Sequence, residues 1–72
     1  MKKITPLDQT LGLLQTEEQK HLLMQNLEPL NEQCREDFLL AVVAYIRFGI
    51  KRPFANPLMQ VIFTSYCDFL DY

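Results

Sequence analysis

Few residues in this chain could carry out acid–base or nucleophilic chemistry. The 72 residues include one histidine, His21, and one serine, Ser65. A nucleophilic site needs a base beside the nucleophile and a third group that orients the base, and the spacing of His21 and Ser65 indicates no such arrangement. We therefore predict that the protein is not an enzyme and that it has no catalytic residue. His21 is expected at the surface or boundary of a helix.

The two cysteines, Cys34 and Cys67, could in principle hold a metal ion or form a disulfide. A structural zinc site needs about four Cys or His ligands, usually in closely spaced pairs. The cysteines lie 33 residues apart and His21 stands alone, so we predict no metal site and no cofactor. Polar residues between Thr5 and Gln9 interrupt any signal peptide. We expect a cytoplasmic protein with reduced thiols, in which a disulfide would require that the helices carrying the cysteines run antiparallel.

Basic residues form one cluster, Arg47, Lys51 and Arg52, with Lys2 and Lys3 at the start of the chain. A protein that binds duplex DNA usually carries a basic stripe, whereas this chain has a net charge of -2. The preferred interpretation is that these cations lie at the C-terminal end of a helix, where they complement the helix dipole. Contact with a phosphate or another anion is the alternative interpretation.

Capping residues divide the chain into helices. Helix starts are indicated by polar residues that can accept a free backbone N–H, which are Thr5, Thr16, Asn31 and Asn56. Gly49 suits the left-handed position that ends a helix. These signals predict a short helix over residues 6–14, then helices over 16–27 and 32–48, a loop over 49–56 and a final helix from residue 57. The first two helices could instead be one continuous helix that is weakened near Gly12.

The run from Phe38 to Ile46 is apolar on every side of its helix. Such a helix is either central in the fold or pressed against another subunit. The run is nine residues long and a membrane helix needs about 20, so no membrane association is expected. We predict an all-α fold, a single small domain of three to four helices that self-associates. Residues 1–15 would form a variable N-terminal segment and residues 16–72 the helical core. The residues expected in the core or in an interface are Leu40, Val43, Tyr45, Phe63 and Tyr66.

From Leu27 to Tyr72 the chain resembles a family of small phage and prophage proteins of unknown function. The resemblance rests on a Leu27/Leu30 pair before an acidic helix start, the run Leu39–Tyr45, Gly49 with Pro53 in the following loop, Ile62-Phe63, and Asp71. Some members of that family look like the front end of phage replication-initiation proteins, and many continue into a basic tail. The chain departs from the family in ending at Tyr72 and in carrying Lys51-Arg52 where many relatives are acidic. The resemblance implies an origin in a mobile element and a replication-linked interaction role, with no catalytic residue.

Together these observations predict a non-enzymatic helical protein–protein interaction module, either a homodimer or a partner of another protein. The alternative is a nucleic-acid-associated accessory domain of a phage-type replication protein, which would use Arg47, Lys51 and Arg52. No small-molecule substrate is indicated.

Overall fold

The computed structural model describes residues 5–71. In this part of the chain there are four helices and no strand: α1 (Pro6–Leu13), α2 (Glu17–Leu27), α3 (Glu32–Phe48) and α4 (Pro57–Leu70). The all-α prediction is confirmed. The backbone becomes extended at Leu14 and at Thr16, so the alternative of one continuous first helix is wrong.

Each helix begins at the capping residue that the sequence predicts. The cap side chain accepts a hydrogen bond from a backbone N–H of the first turn: Thr5 from Asp8, Thr16 from Gln19, Asn31 from Cys34, and Asn56 from Leu58 and Met59. The Thr16 backbone N–H in turn donates a hydrogen bond to the side-chain oxygen of Gln19, which completes the capping box. Gly49 ends α3 with φ 70° and ψ 20°, a left-handed conformation that glycine adopts without a Cβ penalty.

The loop of residues 49–56 carries the chain back along α3, so that α3 and α4 run in the same general direction. Phe38 packs edge-on against Phe63, with ring centroids 5.9 Å apart, and the Tyr45 hydroxyl donates a hydrogen bond to Asp71. The second contact lies closer to the C-terminal end of both helices than the first, as expected when two helices run in the same direction. The eight residues of this loop can span at most about 26 Å. Since the 17-residue helix α3 is about 25 Å long, the loop is long enough to return the chain to the start of α3.

This direction keeps the two cysteines apart. Cys34 lies in the first turn of α3 and Cys67 in the last turn of α4. Because the two helices run in the same sense, these positions are at opposite ends of the pair. Both cysteines are free thiols.

The core lies between α3 and α4, with α1 packed on α3 and α2 packed on α4. Loop residue Phe54 adds a ring against Phe63, with centroids 5.3 Å apart. Within the apolar run from Phe38 to Ile46, Leu40 is the one exposed residue. The run could be apolar because it is central in the fold or because it is pressed against another subunit. The first explanation applies to nearly all of its residues. The largest fully buried side chains include Leu23, Phe38, Val42, Phe63 and Tyr66.

Helix α1 also belongs to the bundle. Thr10 is fully buried, and its hydroxyl lies 2.7 Å from the Pro6 carbonyl oxygen and 3.4 Å from the Leu39 carbonyl oxygen in α3. Leu7 and Leu11 pack against the same core. The helical core predicted over residues 16–72 is thus extended by α1.

Candidate interaction surfaces

The structure separates the five residues predicted for core or interface. Val43, Phe63 and Tyr66 are buried, Tyr45 is half-buried, and Leu40 is 43% exposed. The buried three stabilise the monomer and are not accessible to a second molecule in this conformation. Leu40 is the member of the set best placed to contact a partner.

Tyr66 has a structural role that connects two helices. Its ring is fully buried, and its hydroxyl donates a hydrogen bond of 2.8 Å to the Gln19 carbonyl oxygen in α2. Burial raises the pKa of the Tyr66 phenol, with a smaller contribution from Cys67. The neutral phenol therefore links α4 to α2 throughout the physiological pH range.

Large exposed apolar side chains occur at separate places on the surface. Phe48 ends α3, whereas Leu58 begins α4. Although ten positions separate them in the sequence, the returning loop puts them at different levels of the bundle. Residues that are neighbours in the chain therefore do not form one continuous patch. The exposed large apolar residues are Met24, Leu40, Phe48, Ile50, Leu58 and Val61.

One side of α3 is exposed or half-buried along its whole length, and we call it the outer face of α3. Its first turns carry carboxylates, its middle carries Leu40 and Ala44, and its last turn carries Arg47. The opposite side, with Phe38 and Val42, is fully buried in the core. The outer face consists of exposed or half-buried residues, which are Gln33, Glu36, Asp37, Leu40, Ala44, Arg47 and Phe48.

The predicted basic cluster lies at the end of α3 and in the following loop. The Lys51 Nζ is 5.8 Å from the centroid of the Tyr45 ring, and the Arg52 guanidinium carbon is 5.7 Å from that of Phe54. Arg47 lies in the last turn of α3, where a cation complements the dipole. The structure therefore gives each of the three cations a role within its own chain, while all three stay exposed to solvent.

Tyr45 joins this basic cluster to the end of α4. The hydrogen bond from its hydroxyl to Asp71, together with partial desolvation, raises the pKa of Tyr45 to about 12. Tyr45 therefore contacts Lys51 through the face of its ring and Asp71 through its hydroxyl. The hydrogen bond gives Asp71 a partner at a helix end where the dipole disfavours a carboxylate.

A surface cleft between α1, α2 and α3 is lined mainly by apolar groups, among them Leu7, Met24 and Leu39. Arg35 borders this cleft, but its Nε donates to the Leu27 carbonyl oxygen at 2.8 Å and one terminal nitrogen to that of Glu28 at 3.3 Å. The guanidinium is therefore occupied in capping the C-terminal end of α2. Sequence reasoning missed this role, because only the tight turn around Pro29 brings Arg35 back to the preceding helix.

The residues that could do chemistry are not brought together. His21 lies in α2, where its ring nitrogen is 3.2 Å from the side-chain nitrogen of Gln25, and Ser65 is exposed on α4. Between Thr5 and Asp71, no three His, Cys, Asp or Glu side chains are close enough to hold a metal ion. In the same range no helix has both the length and the apolar character needed to cross a membrane.

Comparison of the chain with protein-family models, with curated proteins and with solved structures finds no match. Evidence about function therefore comes from the surfaces of the chain itself.

Proposed function

We propose that this protein is a non-enzymatic helical interaction module that forms homodimers. The observation that carries the proposal is the set of six large apolar side chains that remain 43–71% exposed on a small bundle whose core is already filled. Isolated apolar residues are normal on protein surfaces. Here two of the six, Leu40 and Phe48, lie on the outer face of α3, where Leu40 is framed by charges of opposite sign.

The expected association is weak. Complete burial of one Leu or Phe side chain contributes about 1.5–3 kcal/mol, and these residues are already partly covered. Association itself costs about 4–15 kcal/mol in lost freedom. A few half-exposed residues per copy thus support a weak dimer, with a dissociation constant in the micromolar range or higher.

Sedimentation equilibrium over concentrations from about 1 μM to 1 mM, the range of weak interfaces, tests the proposal. The expected result is a mass that rises from 8.5 kDa toward twice that value. A mass that stays at the monomer value over the whole range would contradict homodimer formation, and the interaction would then have to be with another protein.

On the basis of its resemblance to small phage proteins, we also propose that the protein originates from a mobile element. A cytoplasmic protein of a mobile element would be encoded next to other genes of that element. We expect replication genes beside the coding sequence if its role is linked to replication. Neighbours that belong only to unrelated host metabolism would argue against this origin.

A second candidate function is contact with nucleic acid at the end of α3. Phe48 is 71% exposed beside the exposed Arg47 at the end of α3, and the exposed Lys51 and Arg52 follow in the loop. Exposed aromatic rings in a basic segment can stack on unpaired bases. Titration with single-stranded and duplex DNA at low and moderate salt tests this function. Binding that weakens with salt and is lost in Phe48→Ala and Lys51→Ala supports it. Absent or salt-insensitive binding rejects it.

A further inference from the structure

We propose that the second copy packs on the outer face of α3, with the two α3 helices antiparallel and related by a two-fold axis at the level of Val42. This inference rests on the proposed homodimer and specifies its interface. It is carried by three properties of the outer face, which are its spacing, its accessibility and its charge order.

The spacing of the outer face is that of a helix that pairs with another helix. Gln33, Asp37, Leu40, Ala44 and Arg47 follow one another at intervals of four, three, four and three residues, the heptad spacing that keeps one seam against a partner helix. All five are exposed or half-buried. The seam is therefore not used by the core of the same chain.

The charges along this seam complement each other in an antiparallel pair. With the axis at the level of Val42, Asp37 of each copy faces Arg47 of the other, and Leu40 faces Ala44. Two opposite-charge pairs then flank an apolar centre, and the small Ala44 side chain allows helix axes to approach to about 8 Å. A parallel pair would instead put Asp37 against Asp37 and Arg47 against Arg47, which is repulsive. A two-fold interface of this kind closes at two copies.

The exposed side of α4 does not offer the same complementarity. Leu58 and Val61 share that side with Ser65 and Asp68, and α4 contains no Lys or Arg. An antiparallel α4 pair would therefore place each Asp68 near an apolar turn without a counter-charge. A face of about 24 Å along α3 gives an interface at the small end of the known range, in accord with weak association.

Charge reversal tests the interface. The variants are Asp37→Arg, Arg47→Asp and the double variant that carries both changes, each examined by sedimentation equilibrium beside the wild-type chain. Each single variant turns both pairs into like-charge pairs, and we expect the dimer Kd to rise by about tenfold or more. The double variant restores two opposite-charge pairs, so its Kd should return to within about threefold of the wild-type value.

A mixture of the two single variants provides a further readout. In the mixed dimer, the Asp37→Arg copy presents an arginine at both charged seam positions, and the Arg47→Asp copy presents an aspartate at both. Each arginine then faces an aspartate, so that two proteins that associate weakly with themselves should associate with each other.

Matched controls are Asp68→Arg and Arg52→Asp, which make the same charge changes at exposed positions outside the seam. We expect them to leave the Kd within about threefold of wild type, because exposed charges outside an interface act weakly.

The outcomes separate this interface from the proposed homodimer itself. A wild-type chain that stays monomeric overturns both proposals. A wild-type dimer that tolerates both single variants, or that is weakened equally by the controls, keeps the homodimer and overturns the α3 interface. Equal helical circular dichroism in all variants shows that a loss of association is not a loss of folding.

Discussion

At the scale of single residues, burial explains why the two cysteines differ. Cys67 is completely buried in α4, whereas Cys34 is half-buried in the first turn of α3. Burial raises the pKa of the Cys67 thiol from 9.0 to about 11, although nearby Lys51 acts in the opposite direction. The thiolate is the reactive form of cysteine, so Cys67 is protected both by exclusion of reagents and by retention of its proton.

We therefore predict two well-separated reaction rates with a thiol-specific reagent at pH 8. Cys34 should react quickly. Cys67 should react more slowly, and at least about 100-fold more slowly in the folded protein than in denaturant, because burial excludes the reagent and a rise of its pKa from 9.0 to about 11 leaves a hundredfold smaller thiolate fraction. The measurement is absorbance of the released chromophore with time.

Two variants identify the phases. Cys34→Ser should remove the fast phase, and Cys67→Ala should remove the slow one. In denaturant the two thiols should react at similar rates. Similar rates in the folded wild-type protein would contradict the burial of Cys67.

The same pKa shifts set the direction of alkaline stability. The folded protein holds the Cys67 proton to a higher pH than the unfolded chain does, and Tyr45 behaves alike with a pKa raised from 10.0 to about 12. Stability from these groups is complete below about pH 9 and is lost as pH rises through the folded pKa values.

At the scale of helices, the two glycines meet opposite requirements. Gly49 has φ 70° at the end of α3, while Gly12 lies inside α1. Apart from atoms of the glycine, of its chain neighbours and of the adjoining helix backbone, a Cβ added at either position would meet no heavy atom within 4 Å. The difference between the two positions is therefore one of backbone conformation alone.

We predict opposite effects of alanine at these positions. Gly49→Ala should lower the free energy of unfolding by about 1–2 kcal/mol, because a side chain in the left-handed region is strained. Gly12→Ala should raise it by up to about 1 kcal/mol, because alanine is the better helix former. Urea unfolding measures both changes. A loss of stability in both variants would contradict the conformational explanation.

Local signals in the sequence were sufficient to predict the helices but not their arrangement. The side chains of Thr16, Asn31 and Asn56 act on N–H groups within a few residues, so each helix start could be predicted from its own neighbourhood. The direction of α4 depends on how the loop of residues 49–56 packs through Phe54, which is a long-range contact. The binding of Arg35 to the end of α2 depends on the same kind of tertiary geometry.

At the scale of the whole molecule, the four-helix bundle covers most of the apolar surface of α3 and α4 within one chain. The prediction of self-association rests on the run from Phe38 to Ile46, which is apolar on every side of its helix. Helix α1 and Phe54 cover much of that surface from positions that sequence reasoning assigned to a variable segment and a loop. Six large apolar side chains remain exposed, and the outer face of α3 is the candidate interface because its charge order complements a second copy.

The aromatic core should therefore control the stability of the bundle while its exposed apolar residues do not. Phe38 touches Phe63 edge-on and lies 6.2 Å from the Tyr66 ring, measured between centroids. Phe38→Ala should lower the free energy of unfolding by about 3–5 kcal/mol, which is most of the stability that a domain of this size has. We expect this variant to be largely unfolded at 25 °C by circular dichroism. Val61→Ala, at a side chain that is 64% exposed, should change stability by less than about 0.5 kcal/mol. If the two variants were equally stable, Phe38 would not be the centre of the core that joins α3 to α4.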